Sequence, residues 1–421
     1  MLVHRDLLRN HFTPVTRWYI KRFRKKQLAA AHRLQNKEVW EVAFMLTIPG
    51  MWKADYLFRF MQNNPRFHPY VVIYPYSEYK GFSREEIHKT LERTRQFVAD
   101  KGFEYFIPYD SKRHRWLDIK KVKNPDIVIF STPYRDCQPR YFIHHFSDRL
   151  TAYIHYGLNT LKLYRENYWH LTINLMGLYF LETPLHLDLA KRYMRNQAEN
   201  AVVTGYPGIE VFLDKHYQPK DVWKRQDRPK KRVIWAPHHT IEKGFSMSTM
   251  LIYCDYMLEL AERYADSIQF TFKPHQLLKF KLQQLWGEEK TDAYYQRWAT
   301  MENTQLEESS YVDLFLTSDA MIHDCGSFTS EYLCTGKPVM YLLQREQLRE
   351  VFTPFGEMAF DAHYHGRNRD DIEQFLSDVV LAGNDPKRAQ REDFFQRYLQ
   401  PIDGRMPSEH IIEEIERIIA Q

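Results

Sequence analysis

Four short stretches of the 421-residue chain set ionisable or hydroxyl side chains directly behind apolar, strand-like runs. "YIHYGLNTLK" (Tyr153 to Lys162) ends such a run at His155 and turns at Gly157. An imidazole whose ordinary pKa lies near 6.5 can take a proton from a hydroxyl. The structural alternative is a ring tied to a nearby carbonyl. "IWAPHHTIEKG" (Ile234 to Gly244) delivers His238 and His239 beyond Pro237, with Thr240 placed to cap the turn. One of the pair suits a phosphate contact; a plain polar loop is the other reading. Adjacent side chains diverge on any regular element, so the pair is not expected to share a metal. "FTFKPHQLLK" (Phe270 to Lys279) brings Lys273, a mobile point charge for phosphate, and His275, a donor to a phosphate oxygen or leaving group. A surface Lys and a capping His are the alternative.

The fourth stretch, "DAMIHDCGSFTSEYLCTGKPVMYLL" (Asp319 to Leu343), reads strand, tight bend, short helix, strand. Its first strand-like run begins near Leu314, takes in Phe315 and Leu316, and ends at Met321 and Ile322. Ser327 to Leu333 predicts two helical turns, Gly336 a stop, and Pro338 a block to resumption. Val339 to Leu343 is the next buried strand. Such a bend aims backbone N–H groups at one point, which favours phosphate. Gly326 lets a phosphate approach the backbone, Ser327 adds a hydroxyl, and Glu331 can accept from ribose hydroxyls. Ser330 is grouped with these as a donor contact. Asp324 belongs to the same set, mainly as the residue that fixes the loop. A buried strand–helix–strand unit with no ligand remains the alternative. Cys325 lacks a companion nucleophile motif, so thiol chemistry is not expected.

Composition narrows the field. Hydrophobic content of 44% with 15% aromatics is that of a globular chain, too long for one ordinary core. Cys137, Cys254, Cys325 and Cys334 are scattered, with no ligand cluster, which indicates neither zinc nor a disulfide frame and suits a reducing compartment. No Asp-x-Asp occurs, so no metal on paired acids is expected. Neither GxGxxG nor GxxxxGK[ST] occurs, and no cofactor is expected. There is no 18-residue apolar run and no signal-peptide core.

The beginning of the chain is basic. Arg5, Arg9, Arg17, Lys21, Arg22, Arg24, Lys25, Lys26 and Arg33 are set against Asp6 alone, and Phe12, Trp18, Tyr19, Ile20 and Phe23 are interleaved. The whole chain carries only +5. Such a segment suits an anionic membrane surface, at roughly 1 kcal/mol per cation. A leader helix packed on the body is the other reading, and nucleic acid is not expected because no RNA-binding module accompanies the patch.

Strand–helix alternation must position these residues. Strand-like runs occupy 42–48, 70–74, 103–107, 127–130, 152–155 and 179–182. Helical patterns occupy 51–61, 83–101 with a Ser83/Glu86 capping box, and 185–198. After a charged, Pro-containing stretch the alternation resumes with a strand at 233–236, a helix at 247–264 and a strand at 268–272. Amphipathic helix fills 370–380 and 407–419. The expected division is a leader (1–36), an N-terminal Rossmann-like acceptor lobe (37–214), a linker (215–231), a C-terminal nucleotide-donor lobe (232–400) and a C-terminal helix (401–421). The fold class is α/β, two doubly wound lobes with a cleft between them, ligands binding where loops leave the strands.

The set "HYGLNTLK", "TGYPGIEVFL", "WAPHHT", "FKPHQLLK" and "SDAMIHDCGSFTSEYLCTGKPVMYL" resembles the CDP-glycerol glycerophosphotransferase family, which includes teichoic-acid primases and polymerases. The resemblance runs from about Asp126 to Leu343. It implies a GT-B fold and transfer of glycerol phosphate from CDP-glycerol to a hydroxyl of a polymer or lipid-linked acceptor, with release of CMP. It implies His155 as base, with Gly157 and Lys162 completing its motif. Lys273 and His275 would lie near the donor phosphates, and Asp324, Cys325, Gly326, Ser327 and Glu331 would fall on the family's loop. The chain departs from the pattern by inserting Tyr156, placing Gly326 for a Ser, ending "GYPG" at Gly208 without an Arg, and reversing His-Pro to Pro274-His275. A sugar transferase using a CMP- or UDP-sugar shares this skeleton, as does an inactive scaffold. The expected location is cytoplasmic, at the inner face of the cell membrane.

Overall fold

Consecutive apolar residues, not alternating ones, mark the central strands, because a parallel strand covered on both faces buries both sets of side chains. Val42, Phe44 and Leu46 of β1 (Trp40–Leu46) enter one core while Ala43 and Met45 enter the core on the opposite face. The computed structural model describes residues 14–75, 84–134, 137–242, 247–308, 311–344 and 346–421. The expected Ser83 cap and the first thirteen leader residues lie outside them.

The chain divides into two compact units. The first comprises residues 1–158, 163–210 and 401–421. Its sheet contains β1, β2 (Phe67–Ile73), β3 (Tyr105–Phe106), β6 (Ile127–Phe130), β7 (Leu150–Ile154), β8 (Leu178–Leu181) and β9 (Ala201–Val203) in the order β3-β2-β1-β6-β7-β8-β9. Two short strands, β4 (Tyr109–Asp110) and β5 (Arg115–Trp116), form a separate antiparallel pair. Helix Pro407–Ala420 covers one face with Ile411, Ile415, Ile418 and Ile419. Helix Pro14–His32 covers the other with Ile20 and Phe23, and its buried Gln27 accepts from the Thr151 N–H at 2.8 Å.

The second unit comprises residues 159–162 and 211–400. Its six parallel strands are β10 (Lys231–Ala236), β11 (Ile268–Phe272), β12 (Thr304–Leu306), β13 (Ala320–His323), β14 (Val339–Leu342) and β15 (Tyr364–Gly366), in the order β12-β11-β10-β13-β14-β15. This is the Rossmann order, with its topological switch between β10 and β13. Both units are thus Rossmann-like, as in GT-B proteins.

Several sequence expectations need correction. Phe315 and Leu316 lie in helix Val312–Thr317, not in a strand, and β13 begins only at Ala320. Leu314 and Phe315 are both buried, and a short apolar run fits a buried helical turn as well as a strand. The helix expected from Met51 begins at Asp55, after a 3-10 turn at Pro49–Met51. Trp223, within the charged stretch 215–231, is a point of order there rather than a correction: it is buried and donates to Thr317 at 3.0 Å.

Glu210 supplies a pH-dependent anchor for the C-terminal helix. Its fully buried carboxylate accepts from the Ser408 N–H (2.7 Å) and hydroxyl at the start of helix Pro407–Ala420. Burial pushes its pKa up to about 7, against the opposing pull of those bonds. A folded pKa above the unfolded 4.5 contributes stability that is full below 4.5 and lost as pH rises through 7. Glu210→Gln should therefore gain on the parent by on the order of 2–3 kcal/mol between pH 4 and pH 8, read by denaturant unfolding at both pH values.

Candidate functional site

The loops leaving β10, β11 and β13 meet at the switch point of the second unit. Asp324 organises them. It is fully buried, and its carboxylate accepts from the His238 N–H, the Thr249 N–H and, at 2.8 Å, the Thr249 hydroxyl. Burial raises its pKa to about 6 against these three donors. The His275 N–H donates to the Pro237 carbonyl at 3.2 Å, joining the β10 and β11 loops.

This bracing brings three imidazoles together. Ring centroids lie 4.3 Å apart for His238 and His239, 4.2 Å for His239 and His275, and 5.2 Å for His238 and His275. One nitrogen of each ring lies within 4.8 Å of one on each of the others. The expectation that adjacent His238 and His239 would diverge fails, because they follow Pro237 on an irregular loop where helix or strand periodicity does not apply.

Hydrogen bonding decides what the cluster can hold. His238 Nδ1 accepts from the Thr240 N–H at 3.3 Å, and His275 Nδ1 accepts from the Leu277 N–H at 3.1 Å. His239 Nδ1 accepts from the Lys281 ammonium at 2.9 Å. Each neutral ring therefore carries its proton on Nε2. Three N–H donors beside a lysine suit an anion, whereas a metal ion needs on each ring a lone pair not already engaged. Burial, then the neighbouring cations and rings, lowers the pKa of His238 to about 2 and of His275 to about 3. Burial and Lys281 lower that of His239 to about 4. Lys273, nearly buried, follows β11 and adds to the positive potential that acts on His275.

Beyond β13 the chain bends through Cys325 and Gly326 into helix Phe328–Glu331, continued by a 3-10 turn at Tyr332–Thr335. Gly336 ends it with φ +69°, a conformation natural to glycine. Gly326 is close-packed: a Cβ there would meet Leu161 Cδ1 at 3.1 Å, and the Thr160 hydroxyl donates to the Gly326 carbonyl at 2.8 Å. Ser327 is exposed, while Ser330 and Glu331 are buried and Glu331 Oε2 has no hydrogen-bond partner among the described residues. The Cys325 thiol is buried, donates to the Ala236 carbonyl at 3.2 Å and has its pKa pushed well above the usual range by burial.

His155 and Gly157 belong to the first unit, beyond the end of β7. The His155 ring is buried. Its Nδ1 makes a close contact with the Gly157 carbonyl, and Nε2 faces Asn167 Oδ1 at 3.4 Å. A base role takes the tautomer in which Nδ1–H donates to the Gly157 carbonyl and Nε2 keeps its lone pair; the Gly157 N–H also approaches Nδ1, at 3.2 Å. Burial lowers the pKa of His155, and Glu182 opposes that shift. The carbonyl contact and a chemical role are thus compatible.

Thr160, Thr249, Lys281 and Glu182 went unremarked in the sequence. A Thr or Lys carries no motif of its own; only the packing shows that Thr249 and Thr160 brace the loops and that Lys281 sets a tautomer.

Solved structures similar to the chain include the wall teichoic acid polymerase TagF, at 14% identity and TM-score 0.53, covering 99% of this chain and 97% of that chain. S. aureus MnaA with UDP gives 15% and 0.57, covering 91% and 97%. UDP-GlcNAc 2-epimerase from Neisseria meningitidis, bound to UDP-GlcNAc, gives 17% and 0.56, covering 90% and 99%. At such identities the likeness is one of fold. No curated protein matches the chain. The model of the CDP-glycerol:poly(glycerophosphate) glycerophosphotransferase family matches residues 181–417, which contain the imidazole cluster and the Asp324 loop but not His155. The chain belongs to that family and is a glycerophosphotransferase with CDP-glycerol as donor.

Proposed function

We propose that the chain builds a cell-surface polymer of the teichoic-acid type, adding glycerol phosphate to a hydroxyl of a lipid-linked polymer or glycan. The imidazole cluster carries this reading. Three Nε2–H donors flanked by Lys281 and Lys273 match a pyrophosphate, whose charge is spread over several oxygens. Glu331, whose Oε2 has no partner among the described residues, accepts from the ribose, and the exposed Ser327 hydroxyl meets the donor phosphates. Asp324 serves the donor through His238, since its own oxygens are engaged.

In the reaction the acceptor oxygen attacks the β-phosphorus of CDP-glycerol. A new P–O bond forms as the bond from that phosphorus to the bridging oxygen breaks, and CMP leaves with the electron pair. The acceptor proton passes to Nε2 of His155. The imidazole N–H groups stabilise charge growing on the phosphoryl oxygens and the leaving phosphate. Thermal unfolding with CDP-glycerol, CMP, UDP or a UDP-sugar tests the donor. CDP-glycerol at about 100 times its Kd should add about 2.7 kcal/mol of stability. A response to UDP ligands alone would sink the reading in favour of a sugar transferase.

The first helix supports attachment at the inner membrane face. Ile20, Phe23 and Gln27 point into the core, leaving Arg17, Trp18, Lys21, Arg22, Lys25 and Lys26 exposed. No described helix is long and apolar enough to cross a membrane. Reversing Lys21, Arg22, Lys25 and Lys26 to Glu, which spares the buried face, should abolish flotation with vesicles rich in anionic lipid. Undiminished flotation would end the idea.

A further inference from the structure

Strands β7 and β8 are neighbours in register, Ile154 opposite Phe180, so the residues that follow them emerge side by side. His155 leaves β7 and Glu182 leaves β8. Glu182 is 4% exposed. A carboxylate costs several kcal/mol to bury unless nearby groups compensate it. Two do so here. Glu182 stands just before helix Pro184–Tyr193, whose N-terminal dipole favours an anion, and its Oε2 lies 3.8 Å from Nδ1 of the buried His186.

We infer that Glu182 is the positioning carboxylate of the acceptor site, its charge stabilising the imidazolium that His155 becomes on taking the acceptor proton. The inference rests on His155 being the base. The surroundings of the ring fit it. Tyr153 meets the ring edge-on at 5.8 Å and Tyr156 stacks on it at 5.0 Å. Asn167 offers Oδ1 at 3.4 Å to a protonated Nε2, and Gly157 holds Nδ1–H. Of the described ionisable groups acting on the ring, Glu182 favours its protonated form and His186, 3.8 Å from that carboxylate, opposes it. In this scheme the proton sits on Nε2 until product leaves.

The test compares Glu182→Gln, Glu182→Asp and the parent in two measurements, the pH profile of kcat and the NMR titration of His155, assigned with His155→Gln. Glu182→Gln should lower kcat at pH 8 by about 10- to 100-fold, within the range spanned by general bases. Its acidic limb and the His155 midpoint should move together to lower pH by about one unit, because the ring loses the charge that favoured its protonated form. Glu182→Asp should fall between the parent and Glu182→Gln in both. A structural defect would instead scale the profile down at every pH. An unmoved His155 midpoint, in Glu182→Gln or in Glu182→Asp if the former does not fold, overturns the inference. The titration does not require turnover, which separates the two readings. An active His155→Gln enzyme with a shifted midpoint in Glu182→Gln removes the base and leaves the electrostatic link standing. An inactive His155→Gln enzyme with an unmoved midpoint does the reverse.

Discussion

His155→Ala should lower kcat by about 10²–10⁴-fold, the loss expected when a general base is removed. The ring sits between Tyr153 and Tyr156 and is buried, so Ala leaves a gap; His155→Gln fills more of it and serves as the folding control. Both variants should give cooperative melting with little transfer of glycerol phosphate to acceptor. The pH profile carries a further sign. A base works in its neutral form, and burial holds the His155 pKa below 6.5. The acidic limb of the parent therefore lies below pH 6.5, and activity holds flat through neutrality. His275→Ala removes one of three clustered donors and should cost about 10²–10³-fold, as the loss of one preorganised hydrogen bond to a charged transition state does. This loss should appear in KM for the donor as well as in kcat, since the pyrophosphate is negative before and during reaction. Ordinary turnover by either variant would remove that residue from the mechanism.

Asp324→Ala should destabilise the second unit by about 3 kcal/mol or more. Three donors lose their acceptor at once, and each unsatisfied buried group costs about 1–3 kcal/mol. Asn is no remedy. Its amide presents a donor on one side, so either His238 N–H or the Thr249 pair meets N–H instead of oxygen. Thr249→Ala keeps the backbone bond and loses only the hydroxyl, which should cost about 1 kcal/mol. Differential scanning calorimetry of the three variants gives the order. Asp324→Ala should also lose the thermal response to CDP-glycerol, because His238 is held through its backbone by that carboxylate. A variant that melts and binds like the parent would show that the loop is braced elsewhere.

How much was legible in the chain differs between fold and site. Long apolar runs, such as Val42 to Ile48 and Val233 to Ala236, announce parallel strands because both faces must be buried. Chemistry-bearing residues follow those runs, so His155, His238, His275 and Asp324 are found by position alone. Gly336 and Pro338 mark the end of the helix after β13 through backbone sterics that depend on no distant contact. Short runs are less decisive. Phe315 and Leu316 fit a strand or a buried helical turn equally, and their environment chose the helix.

The sequence by itself determined the two sets of strand–helix units, the order of the motifs and, through them, the family. Those properties rest on local periodicity and on residue types at fixed spacing. Only the tertiary structure decided that His238, His239 and His275 stand together, with Nδ1 of each turned to a donor, and that Asp324 faces inward as a brace. It likewise decided that Glu182 stands beside the His155 strand and that the C-terminal helix packs back on the first sheet. A tautomer or a buried carboxylate is settled by groups tens of residues away, and strand pairing sets which of those groups come within reach.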